Sequence, residues 1–501
     1  MSLGSILKKR ALISRDKAAL IFEGREITYG ELNRRVNRVA HGLASLGVQK
    51  GDRVAILSRN SSEYAEALFG TLKLGAIFVP LNFRLTVEET LYQIADCAPR
   101  VFIFENEFAS QAGAARQKWS PEELALITTE APLGKDHLSY EDFLRGQGED
   151  EMEVELDLED PFMIMYTSGT TGHPKGVVST YKKSYFHTLN LILSGDLGSS
   201  DVSLAALPLF HTYGMHAVLI PGLCMGSTIV ILKNFDARKI LENIERYRVT
   251  HFSGVPLMLE EILKVSDFPS FDLTSIKFFL TAAQSIPRWV LEEYSRRGFT
   301  VLQGFGITEF PAIYYLGKGD CLRKMGSVGL SHLIGDFKMV DEHFQETKPG
   351  EVGEIVCRGP QAMKEYWRKP EETRKVFRDG WYLTGDLARR DEEGYVYIVD
   401  RKKDMYISGG ENVYPAEVER VLTGHPAIAE ATVIGVKDEK WGEVGKAFVV
   451  RAKDGAIGEG EVLEFCRGKL ASYKIPRQVI FLPELPKTAS GKVKKFELRG
   501  K

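Results

Sequence analysis

The chain has 501 residues, 44% hydrophobic and 27% charged, with a formal net charge of −3. That length exceeds one ordinary core and predicts several domains, and the balanced charge leaves no electrostatic footprint for nucleic acid. Five scattered cysteines with no CxxC pair exclude a disulfide or zinc framework and predict reduced thiols in the cytoplasm.

The start lacks a charged region followed by an apolar run, so no signal peptide is expected. Short apolar runs then alternate with helical patterns through the first four hundred residues. Residues 54–57 predict a strand, 64–74 a helix and 77–79 the next strand. Such alternation predicts an α/β fold of parallel sheets covered by helices. Residues 149–160 are acidic and predict a solvated connector.

Residues 162–166 are an apolar run that predicts a buried strand. It feeds Tyr166-Thr-Ser-Gly-Thr-Thr-Gly-His-Pro-Lys175-Gly176. Glycines let backbone N–H groups approach an anion closely. Ser168, Thr170 and Thr171 add hydroxyls, and Lys175 adds a mobile point charge suited to phosphate. The stretch predicts a phosphate cradle. It is not a Walker loop, because Pro174 precedes Lys175 and Gly176 follows it. Nor is Gly304-Phe-Gly306-Ile-Thr308-Glu309 a dinucleotide fingerprint, since it ends in an acid.

His211 and His216 are five residues apart, the wrong spacing for a helical zinc pair. Further strands are predicted at 228–232, 251–254 and 278–280. The apolar stretch 217–232 is too short, and too broken by Pro221, Gly222 and Gly226, to span a bilayer. After a strand pattern at 395–399, residues 400–404 are five consecutive charges. Such a run is usually a solvated turn; here it precedes a segment with strands and helices of its own, a separate domain.

The phosphate loop resembles the signature of the adenylate-forming superfamily, the acyl-CoA synthetases and their relatives. The resemblance covers nearly the whole chain. It continues in order through Thr28-Tyr-Gly-Glu-Leu32, Gly51-Asp-Arg-Val54, Leu74-Gly-Ala-Ile-Phe-Val-Pro-Leu-Asn82, Pro208-Leu-Phe-His211, Gly304-Phe-Gly-Ile-Thr-Glu309 and Trp381-Tyr-Leu-Thr-Gly-Asp386. Asp400-Arg-Lys-Lys-Asp404, Ser408-Gly-Gly-Glu-Asn-Val-Tyr-Pro-Ala-Glu417 and Pro486-Lys-Thr-Ala-Ser-Gly-Lys492 complete it.

The resemblance implies a large N-terminal domain (1–400) of helix-covered sheets plus a distorted barrel, and a small mobile α+β C-terminal domain (401–501), hinged near Lys403. It implies a two-step reaction. A carboxylate attacks the α-phosphate of ATP to give acyl-AMP and pyrophosphate, and the thiol of coenzyme A then displaces AMP. Thr167, Ser168, Gly169, Thr170, Thr171 and Lys175 would hold phosphate, and Glu309 with Thr167 would hold Mg2+. Thr308 would donate to the α-phosphate, while Ala283, Gly304, Phe305 and Gly306 would surround the nucleotide.

Asp386 would accept two ribose hydroxyls, and Arg401 would donate to ribose or phosphate. Lys492, on composition alone one more lysine of a basic tail, would by resemblance bridge the carboxylate and the α-phosphate. Ser408 and Gly409 would flank the pantetheine channel, and His211 would line the mouth of the acyl pocket. Where many relatives carry a Gly-Gly-Ala or Ser-Gly-Ala motif, this chain reads Thr281-Ala-Ala283-Gln-Ser285.

The apolar residues Phe210, Met215, Val218, Leu219 and Ile220 favour a medium- or long-chain fatty acid as substrate, with an aromatic acid second. The absence of arginine near them argues against malonate. The alternatives are an aryl- or dicarboxylate-CoA ligase, an adenylating enzyme that loads a carrier protein, and a nucleotide-binding protein without catalysis. Peripheral membrane contact and oligomeric state are left open.

Overall fold

The computed structural model describes residues 3–134, 136–167, 174–195, 197–282, 286–409, 411–453, 455–467, 469–487 and 492–499. The chain divides into two compact units, residues 1–337 with 357–382, and residues 338–356 with 383–501. Segment 383–400 therefore belongs with 401–501.

In the first unit the predicted alternation becomes two sheets. One has nine strands in the order Leu330–Ser331, Tyr314–Leu316, Val301–Phe305, Phe278–Thr281, His251–Gly254, Val202–Ala205, Thr228–Ile231, Ala18–Phe22 and Arg25–Thr28. Its six strands from Val301–Phe305 to Ala18–Phe22 pair in parallel. Every residue of Thr228–Ile231 and His251–Gly254 is buried, as parallel strands covered on both faces require.

The second sheet has eight strands: Glu365–Tyr366, Lys175–Thr180, Pro161–Thr167, Ile77–Pro80, Arg53–Leu57, Val101–Phe104, Ala125–Thr128 and His137–Ser139. The strands expected at 54–57 and 77–79 are its centre. Between them runs the helix Ser62–Lys73, opened by Ser61, whose hydroxyl accepts from the Tyr64 N–H at 3.2 Å. The main core gathers Tyr29, Tyr64, Phe69, Phe78, Phe162 and Tyr181, all fully buried.

The acidic stretch 149–160 has no regular structure, but it is more than a solvated connector. Glu151 Oε2 pairs with Lys73 Nζ at 2.6 Å, and Asn33 donates to Glu151 at 2.7 Å. Lys73 ends a helix buried at every residue but Glu63, and a buried ammonium needs a countercharge.

In the second unit, Ile428–Asp438 and Gly442–Arg451 form a long antiparallel hairpin. On the free edge of Gly442–Arg451, Gln478–Phe481 pairs in parallel, and Tyr406–Ser408, itself paired with Glu411–Val413, joins at Gly442. Helices Pro415–Thr423 and Glu459–Cys466 bury Val418, Leu422, Val462 and Cys466 against Val433, Ala447 and Val449. Asp400, first of the charged run, is buried and accepts from the Ala416 N–H at 2.8 Å, in the first turn of helix Pro415–Thr423. The run is thus part of the unit's framework. The five cysteines are free thiols, and among the described residues no helix is long and apolar enough to cross a membrane.

Candidate active site

The phosphate loop joins two antiparallel strands, Pro161–Thr167 and Lys175–Thr180, with Thr167 directly opposite Lys175. The Thr167 hydroxyl reaches the Lys175 carbonyl at 3.4 Å. Ser168, Gly169, Thr170 and Thr171 lie outside the described residues. A strand follows the loop, so no helix dipole stands behind it, unlike a Walker site. A Cβ on Gly176 would lie 2.7 Å from Ile164 Cγ2, so the strand needs glycine there. Lys175 Nζ is 2.6 Å from Glu372 Oε2 and 5.1 Å from the centre of the Tyr366 ring. The Lys175 ammonium holds the Glu372 carboxyl down to about 2.

The strand Val301–Phe305 delivers the second segment. A Cβ on Gly304 would meet nothing closer than 3.9 Å, whereas one on Gly306 would strike Ala312 N at 2.6 Å. The Phe305 ring lies 6.3 Å from that of Tyr314. Glu309 Oε1 accepts from the Tyr366 hydroxyl at 3.0 Å, and its carbonyl accepts from the Met363 N–H at 2.7 Å. Two contacts hold Thr308: the Thr212 hydroxyl meets its Oγ1 at 3.2 Å, and Lys183 Nζ donates to its carbonyl at 2.7 Å.

Glu309 fits Mg2+. A single carboxylate backed by hydroxyl oxygens suits a hard cation that takes its other ligands from water and phosphate. Among the described residues no trio of His, Cys, Asp or Glu is clustered for a softer metal.

His211 precedes a helical stretch made of Thr212–Gly214, a π turn at Met215–Leu219, and Ile220–Met225. Its ring lies 4.2 Å from that of Phe210. Ala283 lies outside the described residues. Met215, Val218, Leu219 and Ile220, expected to line an acyl pocket, belong to the main core with Phe162, Tyr181 and Ile229.

The sequence reading missed Lys183. It is buried on helix Tyr181–Gly195, where its Nζ donates to Ser179 Oγ at 2.8 Å and to the Thr308 carbonyl. Burial pulls its pKa down to about 7, with Glu309 opposing. One signal was available: Lys183, His187, Asn190 and Ser194 recur at helical spacing in one polar stripe.

In the second unit, Asp386 and Arg401 are opposite residues of paired antiparallel strands, with Oδ1 and Nε 2.6 Å apart. Asp386 is buried. The structure thus brings together the two residues expected at the ribose. Lys402 pairs with Glu354 at 2.8 Å, and Lys403 is exposed in the turn that follows.

Ser408 lies opposite Gly442, and the Gly409 N–H donates to the Trp441 carbonyl at 2.8 Å. Gly409 has φ +62°, and a Cβ there would lie 2.8 Å from the Trp441 ring, so only glycine fits. Lys492 is exposed, just before the short helix Lys495–Leu498.

Residues 7–367 match the family of AMP-binding enzymes, and residues 417–492 match the AMP-binding enzyme C-terminal domain. The chain belongs to the AMP-binding enzyme family. It is 40% identical over 498 residues to a feruloyl-CoA synthase of Amycolatopsis sp, covering 99% of this chain and 98% of that protein. It is 37% identical over 501 residues to a long-chain-fatty-acid–CoA ligase of Mycobacterium tuberculosis, covering 99% and 98%. The solved structure of o-succinylbenzoate coenzyme A synthetase from Bacillus subtilis, in complex with ATP and magnesium ion, superposes with a TM-score of 0.87 at 34% identity, covering 99% of this chain and 98% of that one. The expected class holds. The protein is an acid–thiol ligase of the adenylate-forming superfamily, with ATP, Mg2+, coenzyme A and a carboxylic acid as its small molecules.

Proposed function

We propose that this chain activates a monocarboxylic acid with an apolar body, aromatic or fatty, as acyl-AMP, and then passes the acyl group to coenzyme A. The observation that carries the reading is the Thr212–Thr308 hydroxyl contact at 3.2 Å. It fixes the segment that begins at His211, the candidate for the acid, against the segment that ends at Glu309, the candidate for the triphosphate.

In the first step one anion attacks another, so the chain's task is to neutralise charge and hold geometry. Mg2+ held by Glu309 and Thr167 would supply positive charge at the phosphates. Lys175 contacts phosphate after leaving Glu372. Thr308 donates its hydroxyl to the α-phosphate, while Lys183 fixes the Thr308 carbonyl and so its orientation. Gly304, Phe305 and Gly306 bound the adenine, and Asp386 with Arg401 holds the ribose. Lys492 bridges carboxylate and α-phosphate in this step. The thiol step expels no pyrophosphate and has no use for that lysine. It uses Ser408 and Gly409, with Lys403 as the hinge between the two uses.

Pyrophosphate release measured without coenzyme A, over a panel of acids, tests the reading. Release is expected to require acid, ATP and Mg2+ together, and thioester to form only when coenzyme A is added. Release independent of the acid, or transfer only to a carrier protein, would contradict it.

A further inference from the structure

The base of the phosphate loop is one residue pair. Tyr166 and Gly176 lie opposite each other in the strands Pro161–Thr167 and Lys175–Thr180, next to the pair Thr167 and Lys175 at which the loop begins. Both are tied to a third element, the C-terminal end of the helix Val87–Cys97.

The first tie is a side chain. The Tyr166 hydroxyl donates to Asp96 Oδ2 at 2.6 Å, the length of a charge-assisted bond from a hydroxyl to a carboxylate. Burial, then Cys97 and Asp96 beside it, push the Tyr166 pKa up, so the phenol keeps the proton it donates. The second tie runs through Trp367. Its main-chain N–H donates to the Gly176 carbonyl at 2.7 Å, and its indole N–H donates to the Asp96 carbonyl at 3.1 Å. Tyr166, Gly176, Trp367 and Asp96 thus close a ring around the base of the loop. The ring is tight: a Cβ on Gly176 would lie 3.2 Å from Trp367 Cβ and 3.4 Å from Tyr166 Cε1.

Asp96 stands where a carboxylate is locally unfavourable. It lies in the last turn of its helix, which closes at Ala98 with φ +46°, and the negative end of the helix dipole opposes it. Arginines supply what that helix end needs. Arg53 donates to the Cys97 and Ala98 carbonyls, each at 2.7 Å, and Arg368 donates to the Asp96 carbonyl at 3.1 Å. The Asp96 carboxylate does not help to close the helix. It serves as an acceptor for a phenol on another element.

The ring is one peptide bond from the reacting groups. Tyr366 precedes Trp367. Its hydroxyl donates to Glu309 Oε1 at 3.0 Å, and its ring centre lies 5.1 Å from Lys175 Nζ. A shift of Trp367 therefore moves the partner of both Glu309 and Lys175.

We propose that Asp96 is a positioning residue for adenylation: through Tyr166 and Trp367 it fixes the mouth of the phosphate loop and the direction in which Lys175 and Glu309 face the triphosphate. It acts through those two side chains and not on the reacting atoms. The proposal rests on the reading that this loop holds the phosphates of ATP.

The test compares Asp96→Leu, Asp96→Asn, Tyr166→Phe and the double variant Asp96→Leu/Tyr166→Phe in two half-reactions. One is pyrophosphate release from acid and ATP; the other is thioester formation from supplied acyl-AMP and coenzyme A. Asp96→Leu is expected to raise KM for ATP about tenfold, as small misplacements made at a distance from the chemistry do. KM for the acid and the thioester rate are expected to stay near wild type, because neither involves the triphosphate. Asp96→Asn still offers the Tyr166 hydroxyl an acceptor and is expected to recover most of the loss. Tyr166→Phe is expected to match Asp96→Leu, and the double variant to be no worse than either, since both cut one ring. A merely structural aspartate would lower the melting temperature and both half-reactions together. Tyr166→Phe removes a single oxygen, so it reads the ring even where Asp96→Leu does not fold. Equal loss in both half-reactions, an unchanged KM for ATP, additive effects in the double variant, or no recovery in Asp96→Asn would overturn the proposal and leave acid activation standing. If no acid supports ATP-dependent release by the wild type, the phosphate reading fails and the proposal falls with it.

Discussion

Two regions of the first unit, the segments around Lys175 and Glu309 and the helix Tyr181–Gly195, treat their polar groups in opposite ways. Lys175 is held by Glu372 and Glu309 by Tyr366, so the phosphate and metal proposed to bind there would compete with protein partners already in place. On helix Tyr181–Gly195 and the turn at His216, the His216 ring and the Ser184 and Thr188 hydroxyls are buried with no partner among the described residues. Partnered charges keep a site folded and soluble when empty, at some cost in affinity. Orphaned neutral groups cost stability, because their desolvation is not repaid by a partner.

The sharpest way to break this contrast is at Glu309. Glu309→Gln keeps the shape and can still accept from Tyr366, but it loses the charge for Mg2+. Adenylation should fall by roughly 2–4 kcal/mol of transition-state stabilisation, the scale of one preorganised electrostatic group. Unchanged pyrophosphate release at limiting Mg2+ would sink the metal assignment.

The next test is of stability at the helix Tyr181–Gly195. The folded pKa of His187 is lowered to about 3 by burial, with His332 and Lys183 adding to the effect. Its folded value lies below its unfolded one, so the folded chain binds fewer protons between those values. Stability is therefore full above about pH 6.5 and is lost as pH falls towards about 3, with a slope of up to ~1.4 kcal/mol per pH unit. Urea melts of His187→Leu should show a flatter acid limb than wild type. An identical limb would mean that this histidine is hydrated in the folded state.

The smallest effect expected is at the ion pair. Glu372→Gln frees Lys175, so KM for ATP should fall, and fall more at low salt than at high salt. A rise in KM would show that Glu372 positions Lys175 for phosphate and does not compete for it.

The segments proposed for the nucleotide could be singled out in the sequence because their pattern is local. Short glycine- and hydroxyl-rich segments carry their meaning in adjacent residues, and the strands expected at 54–57, 77–79, 162–166 and 251–254 have period and length in their favour. Asp386 and Arg401 were each singled out separately. Their partnership depends on antiparallel register, which single residues do not encode.

The surroundings of the segment 215–220 were less legible, because they depend on a second helix. The run from Met215 to Ile220 is apolar, but those side chains pack into the core. The polar stripe of Lys183, His187, Asn190 and Ser194 lies on another helix, and whether it turns inward is decided by tertiary packing. Lys183 was overlooked for the same reason. Beside Lys182 it reads as a surface charge, and only the fold buries it against Thr308. The charges 400–404 read as a solvated turn, yet Asp400, Arg401 and Lys402 each have a specific partner.

The division of labour between the two steps is the account's central claim, and Lys492→Ala tests it most directly. Rates are measured separately for acyl-AMP formation from acid and ATP, and for thioester formation from supplied acyl-AMP and coenzyme A. The account predicts that the first falls by roughly 10²–10³, through loss of a cation from a crowded anionic site, while the second stays near the wild-type rate. Equal loss of both rates in a folded variant would contradict it.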